Sequence, residues 1–138
     1  MNAKVFFDTN LLVYLYSEDE PEKQEQILAQ IKNTEKRWIS TQVLNELSNT
    51  LRRKFKLEYA DIANVIAETR SNFEIITVQV ETIEHALKIA EQYRYSYYDS
   101  VIIATALELS CTLLYSEDMQ HKQVIEGKLQ IINPFKQN

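Results

Sequence analysis

Glycine is almost missing from this sequence: Gly127 is the only one among 138 residues. Phosphate loops and dinucleotide fingerprints need several glycines at fixed spacing so that backbone can approach a phosphate, and neither can be built here. Cysteine is as scarce. Cys111 alone allows no internal disulfide, and with His85 and His121 it cannot complete a four-ligand Cys/His zinc site. No apolar run approaches the ~20 residues of a membrane helix. The N-terminus also lacks the basic, apolar and small-residue order of a secretory leader. The expectation is a cytoplasmic protein with no membrane association. Basic charge is in deficit too, with 15 Lys and Arg against 20 Asp and Glu, a net charge of −5. Such a balance does not advertise a general nucleic-acid binder, although it leaves local basic patches open.

What is present is an ordinary globular composition, 45% hydrophobic and 25% charged, in a length that suits one domain over 1–138. Short apolar runs read as strands at Lys4–Phe7, Arg37–Ile39, Glu74–Val78, Thr112–Tyr115 and Leu129–Ile132. Between them lie helical patterns: Leu11–Tyr16, a helix opening at Pro21, one capped by Ser40 or Thr41, then Tyr59–Arg70 and Thr82–Tyr93. Val101–Leu109 is apolar nearly all round, which implies a buried helix. Alternation of this kind predicts an α/β fold with a mostly parallel, five-stranded sheet covered on both faces.

Carboxylates are the abundant reactive groups, and three of them mark the ends of elements. Asp8 follows the first strand, Asp118 lies just beyond the fourth, and Asp99 precedes the buried helix; Glu46 sits in the helix after the second strand. In a parallel sheet the carboxyl ends of strands share the edge where ligands bind, so distant acids can converge. Taken singly, Asp8, Asp99 and Asp118 equally suit helix N-caps, worth ~1 kcal/mol each, and Glu46 suits a solvated helix flank. Taken together, several carboxylates in one place repel, and a divalent cation removes that penalty. Oxygen ligands without soft donors favour Mg2+ or Mn2+, which activates water against a phosphodiester without histidine.

The order of these residues resembles the PIN-domain ribonucleases, most closely the VapC-type toxins of bacterial toxin–antitoxin systems. Val5-Phe6-Phe7-Asp8-Thr9-Asn10-Leu11-Leu12-Val13-Tyr14 is similar to the opening of that family, and Val43-Leu44-Asn45-Glu46-Leu47 to the helix with its acidic Glu. Ser96-Tyr97-Tyr98-Asp99-Ser100 resembles the third acidic motif, and Leu114-Tyr115-Ser116-Glu117-Asp118 the fourth, with the acid at Asp118 rather than Glu117. Ile131-Ile132-Asn133-Pro134-Phe135 resembles the way such chains finish. The resemblance implies a PIN-like three-layer sandwich and Mg2+- or Mn2+-dependent hydrolysis of single-stranded or loop RNA. It also implies a homodimer and a neutralising antitoxin. Asp8 and Asp99 would be principal metal ligands, Glu46 and Asp118 would complete the site, and Thr9 and Ser116 would support it. One departure stands out: His121-Lys122 occupies the place after the last acid where relatives often carry glycine.

Arg52, Arg53 and Lys54 end the Glu46 helix, where cations either complement the helix dipole or contact RNA phosphates. Tyr93, Tyr95, Tyr97 and Tyr98 approach Asp99 and suit either base stacking or loop packing. His85 and His121 read as surface histidines and Cys111 as a small buried hydrophobe. Two other functions compete with the nuclease. One is a catalytically idle PIN fold used as a protein-interaction module. The other is a phosphotransferase with Asp8 as nucleophile, although Asn10 replaces the second Asp of haloacid-dehalogenase-like enzymes.

Overall fold

The computed structural model describes residues 3–136. Its elements follow in the order β1 (Lys4–Phe7), α1 (Thr9–Val13), a 3-10 turn (Tyr14–Tyr16), α2 (Pro21–Asn33), β2 (Lys36–Ser40), α3 (Thr41–Arg53), α4 (Tyr59–Asn72), β3 (Glu74–Ile76), α5 (Val80–Tyr93), α6 (Tyr97–Glu108), β4 (Leu113–Tyr115), β5 (Val124–Ile125) and β6 (Leu129–Ile132). The strands form one sheet in the order β3-β2-β1-β4-β6-β5, flanked by helices. Every pairing is parallel except β5 with β6.

The five expected strands are all present, and the sheet gains a sixth. β5 is a two-residue antiparallel edge, closed onto β6 by a tight turn at Glu126 and Gly127, both at positive φ (52° and 67°). So short a strand has no hydrophobic period to betray it. Its turn uses the chain's one glycine where the left-handed backbone favours it. Lys122, in the place where glycine was expected after the last acid, also adopts a left-handed conformation (φ 72°). Its amide donates to Ile131 O at 2.6 Å, which ties the loop to β6.

Val5, Phe6 and Phe7 are buried because β1 is central and covered on both faces. Phe7 packs edge-on against both Phe73 and Tyr115, with centroids 5.3 Å away in each case. α6 is buried from Ser100 to Ala106, as the apolar run that opens at Val101 demands. The chain passes from β1 towards β2 and β3 on one side and later returns to place β4 on the other. The strand order therefore reverses at β1 and β4, and the carboxyl ends of these two strands border the crevice that this topology leaves open.

Candidate active site

Asp8 and Ser116 are the first residues beyond β1 and β4, and they meet at that crevice. The Asp8 amide donates to Tyr115 O at 2.9 Å, continuing the β1–β4 ladder past the strand ends. The Asp8 side chain is the N-cap of α1, its Oδ1 accepting from the Thr9 amide at 2.7 Å. Capping is only half of its role here, because Oδ2 accepts from the Ser116 hydroxyl at 2.8 Å. The residue is 4% exposed. Burial, reinforced by the charges of Asp99 and Glu46, outweighs both hydrogen bonds and pushes its pKa up to about 7.

Glu46 comes to the same place from α3. Ser40 caps this helix through the Val43 amide, and Val43, Leu47 and Leu51 are fully buried. Glu46 lies on the flank of that stripe, half-buried rather than solvated. Its Oε1 accepts from the Thr9 hydroxyl at 2.6 Å and its Oε2 from the Gln42 amide at 3.2 Å. The Thr9 and Ser116 hydroxyls thus each hold one carboxylate in place.

Asp99 does not precede α6, and it does not cap it. The N-cap is Ser96, whose hydroxyl accepts from the Asp99 amide, so Asp99 occupies the first turn with its carboxylate free of a capping bond. Its pKa is raised by burial and by the charges of Asp118 and Glu46, against the pull of Ser96. Asp118 caps nothing either: it is exposed in the segment between β4 and β5, where no helix follows among the described residues. Its neighbour Glu117 is occupied elsewhere, one carboxylate oxygen accepting from the Tyr14 hydroxyl and the other from Lys23 Nζ at 2.6 Å.

Asp8, Glu46, Asp99 and Asp118 all line one cavity of about 680 Å³, with Thr9 and Asn10 between them. Among the described residues, no three acidic, histidine or cysteine side chains stand close enough to form a finished ion shell. The acids share a cavity and feel one another's charge without converging on a point. Like-charge repulsion and the hydrogen bonds of Asp8 and Glu46 both hold them apart. The donor set still suits a hard divalent cation. It consists of oxygens alone, it includes an Asp pushed towards neutrality, and Asn10 Oδ1 is buried beside it without a partner.

The basic cluster divides. Arg53 and Lys54 line the acidic cavity. Arg52 does not: it donates to Leu57 O at 3.0 Å and lies over the Tyr59 ring at 4.5 Å, so it serves the turn after α3. The tyrosines divide as well. Tyr93 and Tyr95 hydroxyls accept from the amides of Glu126 and Gln120 and so pack the neighbouring loop. Tyr98 is 57% exposed and lines the cavity.

Neither histidine is a simple surface residue. His85 joins α5 to Glu108 and Glu126, at 3.1 Å each. His121 is half-buried and accepts from the Asn133 amide through Nδ1. Cys111 is buried, and burial pushes its thiol up to about 12. Sequence reasoning missed Asn10, Gln42 and Tyr14 as parts of the site. Signals existed for all three: Asn10 and Tyr14 lie in the segment that resembles the family's opening, and Gln42 lies one helical turn before Glu46.

A model of the PIN domain family matches residues 5–126, and the chain belongs to that family. No curated protein matches it in sequence. Solved structures share its fold at low identity. A toxin–antitoxin complex from Klebsiella pneumoniae aligns with a TM-score of 0.74 at 19% identity, over 96% of this chain and 99% of that one. DNA-bound VapBC from Salmonella typhimurium aligns at 0.70 and 21% identity, over 94% and 96%. VapC20 of Mycobacterium tuberculosis, described as a sarcin–ricin loop cleaving toxin, aligns at 0.68 and 16% identity, over 80% and 87%. No helix among the described residues is long and apolar enough to cross a membrane.

Proposed function

We propose that this protein is a Mg2+- or Mn2+-dependent endoribonuclease that hydrolyses single-stranded or loop RNA at Asp8, Glu46, Asp99 and Asp118. The observation that carries the reading is the gathering of these acids from four separate segments into one cavity, with Asp8 buried and displaced to about 7. A buried Asp8 that feels the charges of Asp99 and Glu46 is costly without a cation, and its capping bond is one that a neutral cap could supply. Asp8 and Asp99 would hold the ion, with Glu46 and Asp118 completing the site. The ion supplies charge neutralisation at the phosphate and acidifies water.

The remaining chemistry belongs to the chain. Thr9 orients Glu46 and Ser116 orients Asp8, so both carboxylates are positioned before substrate arrives. Glu46 or Asp118, as a carboxylate, accepts the proton of the attacking water. Arg53 and Lys54 provide the nearby cations for flanking phosphates. By analogy with the toxin–antitoxin and VapBC neighbours, the protein is the toxin of such a pair, neutralised by an antitoxin; the family resemblance adds a homodimer in the cytoplasm.

One observation favours a second reading, a PIN fold kept for protein contacts: no three acids form a finished ion shell among the described residues. The deciding experiment incubates purified protein with small structured RNAs in Mg2+, Mn2+ or EDTA, beside Asp99→Asn. Metal-dependent cutting lost in the variant establishes the nuclease. No cutting, with no divalent ion bound by calorimetry, establishes the contact module.

A further inference from the structure

The α3 helix has an unusual outer face. Beside and away from the buried stripe of Val43, Leu47 and Leu51, the residues Gln42, Asn45, Glu46, Asn49 and Arg53 all line the acidic cavity. Spacings of three and four keep them in one stripe. Along the helix it runs from amides at Gln42 and Asn45 through a carboxylate at Glu46 to an amide at Asn49 and a guanidinium at Arg53.

These groups differ in how they are used. Glu46 is held by Thr9 and Gln42, and the neighbouring Arg52 is engaged by Leu57 and Tyr59. Asn45, Asn49 and Arg53 are exposed, and their side chains form no hydrogen bond with any other described residue. Asparagine is a poor choice for the exposed interior of a helix, since its side chain competes for backbone bonds and favours caps and turns. Two of them four residues apart, inside a 13-residue helix, have no local folding purpose.

We infer that this face of α3 is a base-reading track, on which Asn45 and Asn49 hydrogen-bond the edge of an unpaired adenine and Arg53 holds the phosphate of a neighbouring nucleotide. The inference rests on the ribonuclease reading and names how that site selects its substrate. A side-chain amide presents a donor and an acceptor side by side, which matches N7 and the N6 amino group on the major-groove edge of adenine, a pair that no other base carries on that edge. Unpaired bases are read in this way when an aromatic ring also offers a stacking face, and Tyr98, from α6, exposes one to the same cavity. Arg53 lies roughly 10 Å along the helix axis from Glu46. That distance places its phosphate on another nucleotide of the strand rather than at the bond cut by the acids.

The test measures binding by fluorescence anisotropy, with the full chain in EDTA and labelled single-stranded oligoadenylate, oligouridylate and oligocytidylate of equal length. The wild type should prefer the adenine strand by about tenfold. The Asn45→Ala/Asn49→Ala double variant should lose that preference while still binding the uridine strand. Arg53→Ala should weaken all three strands alike and lower the salt slope by about 1. Far-ultraviolet circular dichroism checks that these exposed substitutions leave the fold intact. Equal wild-type affinity for the three strands, no binding to any of them, or an unchanged preference in the double variant would overturn the inference. Because binding in EDTA does not depend on cutting, the two readings fail separately. A base preference lost in the double variant, with no RNA cut under any metal, removes the nuclease and keeps the reading track; metal-dependent cutting with no preference does the reverse.

Discussion

Replacing Asp8 by asparagine should stabilise the metal-free protein, and the effect should depend on pH in a defined direction. The native pKa of about 7, against 3.8 for a free aspartate, means that folding disfavours the charged form. Sign follows from proton counting. Between these values the native state binds a proton that the unfolded chain has released, so stability falls as pH rises through that window and the whole penalty is present above about pH 7. A displacement of about three units corresponds to roughly 4 kcal/mol. In the Asp8→Asn variant the side-chain amide keeps an oxygen for the Thr9 amide but turns a donor towards the Ser116 hydroxyl. That hydroxyl already accepts from the Met119 amide. The mismatch costs about 1 kcal/mol. The variant should therefore be about 3 kcal/mol more stable than wild type at pH 8 and no more stable at pH 4. Urea unfolding in EDTA at four or five pH values measures the difference directly. A difference that stays flat with pH, or a variant less stable at pH 8, would refute the reasoning and leave Asp8 as a helix cap whose charge costs folding nothing. Saturating Mg2+ should reverse the order, because an ion bound only by native wild type adds stability by mass action.

Other outcomes follow from the same geometry. Asp99→Asn should abolish metal-dependent RNA cleavage with little change in urea midpoint, whereas Ser96→Ala, which removes the true cap of α6, should cost about 1 kcal/mol. Glu117→Gln should leave cleavage largely intact, since Glu117 is bound by Tyr14 and Lys23, while Asp118→Asn should not; a cleavage assay on both variants would show the reverse if Glu117 were the fourth acid. His85 contacts carboxylates through both ring nitrogens, which requires both to carry protons. Burial lowers its pKa, but hydrogen bonds to Glu126 and Glu108 outweigh that and raise it. Its contribution is present below the ordinary histidine range and is lost as pH rises through the raised value. The wild-type-minus-His85→Gln stability difference should shrink over that window, as read by thermal melts. Lys122→Gly should be neutral or stabilising by up to about 1 kcal/mol, because it relieves a left-handed backbone; a melt lowered by several degrees would mean that the lysine side chain carries the loop.

Much of the architecture was legible from pattern alone because strands and helices here obey their periods. Lys4–Phe7 and Leu129–Ile132 occur as expected, and Pro21 opens α2 where a proline is tolerated best. The apolar girth of α6 announced its burial. Each failure has its own physical cause. β5 is too short to show a period, and Asp99 looked like a cap because Ser96 and Asp99 both suit the start of a helix. The surface reading of His85 missed its bridge to two glutamates because these come from 23 and 41 residues away.

Sequence by itself determined the chemistry on offer: abundant oxygens, scarce sulfur and imidazole, and no glycine loop, with acids at the ends of strands and helices. Tertiary structure decided how those acids are used. Only folding shows that the Thr9 hydroxyl bonds Glu46 and the Ser116 hydroxyl bonds Asp8, that Glu117 is occupied while Asp118 is exposed, and that Arg53 faces the cavity while Arg52 leaves it. The physical reason is range. Propensity and period act over a few residues, whereas the charge, burial and hydrogen bonding of Asp8 depend on a residue 108 positions away.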